Sequence, residues 1–126
     1  MSIFLAEGQI RTARVRLSGV TATTIIDAGK SGTLVDNIHV CNMGAGTPDI
    51  TIDCYDVTNT TAYVLVQEHS LTARGTESTE LGVPKSIYDY ILPFNLPATW
   101  LLRVTSTVGS SVVHVTATHV KPPQRT

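Results

Sequence analysis

From residue 11 to residue 120, apolar and polar side chains alternate in short runs broken by Gly, Pro, Asn and Asp. Successive side chains of an extended chain point to opposite faces, so a period of two marks strands with one buried face. Eight runs carry it: RTARVRL (11–17), ATTII (22–26), TLVDNIHVCN (33–42), ITIDCYDV (50–57), AYVLVQEH (62–69), SIYDYIL (86–92), WLLRVTS (100–106) and SVVHVTATHV (111–120). In the third, Leu34, Ile38 and Val40 share one face. In the fourth, Ile50, Ile52 and Cys54 oppose Thr51, Asp53 and Tyr55. No helix-forming stripe is sustained anywhere. The 19 Thr and 14 Val favour a pleated, half-buried surface over a helix.

The turns between the runs limit the architecture. Ser18-Gly19 turns the chain into the second run, and TNTT (58–61) reverses it between the fourth and fifth. A polar stretch, TARGTESTELGVP, precedes the sixth. PFNLPAT reads as an irregular connection, because Pro93 and Pro97 each remove a ladder donor. The last two runs read as a pair joined by TVGS. Eight closely spaced strands with turn signals between them predict an all-β domain, an antiparallel β-sandwich or jelly roll of about eight strands. The unequal loops speak against an up-and-down barrel. With 126 residues and 13.5 kDa there is room for one core, so the expected organisation is an N-terminal arm over 1–10, a sandwich over 11–120 and an extended C-terminal tail over 121–126.

Within DAGKSGTLV (27–35), Gly29-Lys30-Ser31 resembles the end of a phosphate-binding loop. That loop needs a glycine five positions earlier and a helix afterwards, whose N-terminus adds its dipole to the phosphate. Thr24 stands where the glycine should be, and strand-like GTLVDNIHV follows. The triplet therefore reads as a turn, with Asp27, Gly29 and Gly32 giving the backbone its freedom.

Composition adds a hint about neighbours. Charged residues make up 15% of the chain against a usual value of about 25%, so part of the surface is expected to be covered in a homo-oligomer. The net charge is −1, and the nearest thing to a basic patch is Arg11, Arg14 and Arg16, read as the solvated face of the first strand. No nucleic-acid partner is expected. The N-terminal MSIFLAEGQI lacks the basic start of a signal peptide, and no apolar run approaches a membrane span, so no membrane partner is expected either.

Reactive residues are few. Cys41 and Cys54 would face Ile50 and Asn37 if their strands formed one hairpin about residues 43–48, so they are read as reduced thiols. His39 and Cys41 share a strand face, but a cysteine nucleophile also needs a cleft, an oxyanion donor and an orienting group. His114 and His119 fall on opposite faces of the last strand, without zinc-ligand spacing. Asp49, Asp53 and Asp56 lack the loop spacing of a calcium site and are read as a solvated strand edge. No enzyme activity and no cofactor are expected. Tyr55 and Tyr63 flank the TNTT turn, and Tyr88 and Tyr90 share one face. They could form a sugar-stacking platform, or pack at the sandwich rim or in a subunit interface, which is the favoured reading. Trp100 reads as an anchor in the core or an interface.

The stretch ATTIIDAGKSGTLVDNIHVCNMGAGTPDITIDCYD resembles small β-sandwich proteins that tailed bacteriophages encode among their virion genes. A Thr-rich strand leads through a Gly-containing turn into an apolar strand ending Val40-Cys41-Asn42. A small-residue loop and a strand of ITIDCYD type follow. The closing WLLRVTSTVGSSVVHVTATHV is similar in style, and the likeness spans most of residues 21–120. It implies a non-enzymatic virion component made in the bacterial host cytoplasm. A capsid decoration or cement protein is favoured over a neck, tail or fibre-associated one; a carbohydrate-binding module is the other alternative. The implied partners are further copies of the chain and the major capsid protein or neck and tail proteins. Candidate partner-binding residues are Ile3, Phe4 and Leu5 in the N-terminal arm, Tyr88 and Tyr90, and Pro122 and Pro123 in the tail.

Overall fold

The structure, a computed structural model, describes residues 9–73, 86–90, 93–109 and 112–121. Among these are nine strands: β1 (Gln9–Leu17), β2 (Thr23–Asp27), β3 (Thr33–Asn42), β4 (Asp49–Asp56), β5 (Thr61–Ser70), β6 (Ile87–Tyr90), β7 (Phe94–Leu96), β8 (Trp100–Ser106) and β9 (Val113–Lys121). They form two antiparallel sheets. One runs β1-β9-β3-β6, with β7 also on β3; the other runs β2-β8-β4-β5. Strands 1 and 2, 3 and 4, and 8 and 9 are consecutive along the chain yet lie in opposite sheets, which is the order of a jelly roll.

The ninth strand subdivides one lane of the expected eight. β6 pairs with Ile38–Cys41 and β7 with Thr33–Val35, both along β3. PFNLPAT is therefore not wholly irregular, as expected, because Phe94–Leu96 fits a three-residue ladder between its two prolines.

The core is made from the alternating faces. Ile38, Val40, Val113 and Val115 from one sheet and Ile50, Ile52, Leu102 and Val104 from the other are fully buried. Each such side chain contributes about 1.5–3 kcal/mol relative to exposure. The expected β3 face of Leu34, Ile38 and Val40 is corrected. A bulge between Val35 and Asn37 inserts Asp36 against β9, so Val35 joins Ile38 and Val40 in the core and Leu34 faces outward.

The expected hairpin of the last two strands does not form, and neither does one between the third and fourth. β3 and β4 lie in different sheets, so neither the Cys41–Ile50 nor the Cys54–Asn37 pairing of such a hairpin exists; both cysteines are free thiols, as expected. β8 and β9 are likewise in different sheets, each pairing with other strands. Buried Asn42 supports the crossing after β3. Its side-chain amide donates to the carbonyls of Gly46 and Thr72, and its Oδ1 accepts from the Gly44 N–H. The Gly29-Lys30-Ser31 turn is as expected: Gly29 and Gly32 have φ of 63° and 75°, and the Gly29 N–H donates to Asp27 Oδ1 at 2.9 Å.

Candidate functional site

The register sets out the outer face of the first sheet in rows. Arg16, His114, Cys41 and Ile87 lie across one row, and Arg14, Thr116, His39 and Asp89 across the next. His39 Nδ1 meets Asp89 Oδ1 at 2.6 Å, with both side chains substantially exposed. The imidazole and carboxylate thus lie on an open sheet face beside the Cys41 row, without the cleft a nucleophilic site requires. Cys54 is buried, and desolvation, then the neighbouring Asp53 charge, pushes its thiol up to about 11, so it stays protonated.

His114 and His119 sit on opposite faces, as the alternation predicts. His119 turns inward beside Thr33, whose hydroxyl donates to the Val120 carbonyl and leaves its oxygen to accept from His119 Nδ1 at 3.0 Å. Burial, then the Arg11 charge, lowers its pKa and favours the neutral ring. Among the described residues no cluster of three or more His, Cys, Asp or Glu side chains could hold a metal ion, and no helix is long and apolar enough to cross a membrane.

The expected solvated edge at Asp53 and Asp56 is corrected, because β4 is an inner strand between β8 and β5. Asp53 is buried and takes both Nε and Nη2 of Arg103, at 2.8 and 3.1 Å, and the guanidinium lies 4.1 Å above the Tyr55 ring. Asp56 caps the following turn through the N–H groups of Thr58 and Asn59.

The four tyrosines are dispersed. Tyr63 stacks on Trp100 with ring centroids 5.2 Å apart. At the other end of β5, His69 packs edge-on against Tyr88 and Tyr90. Tyr90 is buried, and burial, then Tyr88, pushes its ionisation upward; its hydroxyl shares a hydrogen bond with His69 Nδ1 at 2.5 Å. Tyr88 keeps its ring partly exposed. These contacts join β5 of one sheet to β6 of the other and close that side of the sandwich. The sugar platform fails because Tyr55 lies under Arg103, while Tyr63 and the Tyr88–Tyr90 pair occupy opposite ends of β5. Ile3, Phe4, Leu5, Pro122 and Pro123 lie outside the described residues.

Two edges remain, and they differ in chemistry. β1 and β2 form one. β1 carries Arg11, Arg14 and Arg16 and no acidic residue, with Arg14 and Arg16 exposed, while the one charged residue of β2 is Asp27 at its end, held in the turn by the Gly29 N–H. A shallow groove of about 300 Å³ beside them is lined by Arg14, Val15, Arg16, His114, Val115 and Thr116. β5 and β6 form the opposite edge, with Glu68 and Asp89 and no Lys or Arg. Tyr63, Val64, Leu65, Ile87 and Tyr88 are all exposed there. Val64, Leu65 and Glu68 are not among the residues expected from the sequence to bind a partner. The available signal was the unbroken apolar run Ala62–Val66, where alternation stops.

No family model and no curated protein matches this chain. Among solved structures, it is similar to a pentameric capsid protein isolated from metagenomic phage sequences, with a TM-score of 0.50 and 16% identity. That likeness covers 96% of this chain and 64% of the other, so the chain spans less than two thirds of the capsid protein. It is also similar to a chain of the cyanophage Pam1 capsid, at a TM-score of 0.42 and 15% identity, over 91% of this chain and 86% of that one. At 16% identity the first of these likenesses shows the fold alone, an antiparallel two-sheet sandwich.

Proposed function

We propose that the chain is a non-enzymatic structural component of a bacteriophage virion, a shell protein that decorates or cements the capsid through protein–protein contacts. The observation that carries this reading is the fold likeness to a pentameric phage capsid protein over 96% of the chain. Jelly rolls serve in both viral capsids and lectins, and the dispersed tyrosines weigh against the lectin side. The partners are further copies of the chain and the major capsid protein. The terminal arms belong to the same proposal: Ile3, Phe4 and Leu5 insert into an adjacent subunit, and Pro122 and Pro123 lie extended along one.

The test is mass spectrometry of purified particles of the phage that encodes the chain, with copy number measured against the major capsid protein. A copy number matching a repeated lattice site supports decoration, and a chain lacking residues 2–8 is expected to lose particle retention. Absence of the chain from particles overturns the reading.

A further inference from the structure

The two opposite edges of the sandwich are complementary in charge. On the β1 side the exposed Arg14 and Arg16 stand on the outer sheet face, in register with Thr116 and His114. On the β5–β6 side stand Glu68 and Asp89, next to the exposed side chains of Tyr63, Val64, Leu65, Ile87 and Tyr88. Tyr63, Val64 and Leu65 toward one end of this edge and Ile87 and Tyr88 toward the other leave exposed apolar surface along its length, of the kind that a neighbour covers. The described residues of β5 and β6 include no Lys or Arg; Glu68 has no such partner on its own strand, and Asp89 is met only by the imidazole of His39 at 2.6 Å.

We propose that the protein self-associates head to tail, the arginine-bearing β1 edge of one copy docking against the acidic, apolar β5–β6 edge of the next. This deepens the shell-protein reading and rests on it. The charges argue against the symmetric alternative. Two β5–β6 edges meeting across a two-fold axis would bring Glu68 and Asp89 toward their own copies, and like-charge contacts cost several kcal/mol. Joining unlike edges instead gives a heterologous contact, which closes into a ring when its rotation permits.

The form of β5 sets how the contact is made. Its register against β4 shifts twice, leaving Leu65 unpaired between Val64 and Val66 and an extra residue between Val66 and His69. Glu68 there has a φ of 48°. Bulges of this kind bend an edge and prevent a neighbouring strand from extending the ladder. The contact is therefore made by side chains: the carboxylates meet Arg14 and Arg16, and the apolar group packs over the groove between them and His114.

The test uses light scattering on the full chain over a range of concentrations, with two charge-reversal variants, Arg14→Glu/Arg16→Glu and Glu68→Lys/Asp89→Lys. Each alone is expected to weaken self-association by about tenfold or more. Mixing the two variants, or combining all four substitutions in one chain, is expected to restore it, since each reversed edge then meets a reversed partner. Raising salt from about 0.05 M to about 0.5 M is expected to weaken the wild-type oligomer, because exposed pairs are screened. Restoration also separates a lost contact from a lost fold.

A wild-type monomer at every concentration overturns the proposal. So does an oligomer indifferent to both reversals; if the arginine variant also loses retention on immobilised DNA, those arginines belong to a phosphate backbone instead. The particle assay is read separately. A chain present in particles but indifferent to charge reversal sinks the edge pairing and leaves the shell reading standing. A chain absent from particles sinks the shell reading, while the reversal data still decide the pairing.

Discussion

Asp53 illustrates how far a residue's neighbours govern its role. The alternation of ITIDCYD turns Asp53 away from Ile52 and Cys54, and on an edge strand it would be solvated. β8 pairs alongside β4 and brings Arg103 into register with it, so the carboxylate is buried in a two-pronged ion pair under which Tyr55 packs. Removing one partner of such a pair leaves a charge without compensation, whereas replacing both with apolar groups is often neutral. Arg103→Ala is expected to destabilise the fold by about 2–3 kcal/mol, somewhat below the range for a fully buried pair. Asp53→Leu/Arg103→Met should recover most of that. Urea denaturation measures both, and equal losses in the single and double variants would contradict the account.

At the scale of the element, β3 carries the most consequential irregularity. Inserting Asp36 against β9 reverses which face is inward, so Thr33 and Val35 point the same way as Ile38, Val40 and Asn42. The same stretch separates the ladders of β6 and β7, which share one lane along β3. The turn before β3 is equally constrained. Both Gly29 and Gly32 are left-handed, but a Cβ on Gly29 meets open space, while one on Gly32 lies 3.0 Å from the Leu96 carbonyl oxygen. Gly29→Ala is expected to cost about 1 kcal/mol of backbone strain, and Gly32→Ala about 2–3 kcal/mol, because strain and a backbone collision combine. Thermal or urea melts rank the two. A Gly29 variant at least as unstable as the Gly32 variant would refute the role given to the Leu96 contact.

For the whole molecule, the topology places most pairing between distant parts of the chain. β1 pairs along its full length with β9, joining the first described strand to the last. Folds dominated by such non-local pairs must close long loops before contacts compensate, and they fold in about milliseconds to seconds. Refolding by stopped flow is expected in that range, and deletion of residues 113–121 should unfold the domain, because β9 is the inner strand holding β1 to β3. A stable folded remnant after that deletion would show that the second sheet stands alone. The same wrapping leaves β1 with β2 and β5 with β6 as opposite edges, the asymmetry on which head-to-tail assembly rests.

The period-two pattern, read alone, determined that the chain is all-β and where eight strand lanes run, because alternation depends on local geometry and on burial of one face. It also determined the turn at Gly29-Lys30-Ser31, whose residues permit the required dihedrals and whose flanks exclude a phosphate loop. Pairing could not be read this way. A strand followed by a turn looks the same whether the next strand lies beside it or crosses to the facing sheet, so β8–β9 reads as a hairpin and β3–β4 could form one. Tertiary structure alone decided that β4 is an inner strand, that Tyr90 is buried against His69, and that the arginines and carboxylates stand on opposite edges. Each of those facts depends on partners far away in sequence, and a local pattern carries no information about them.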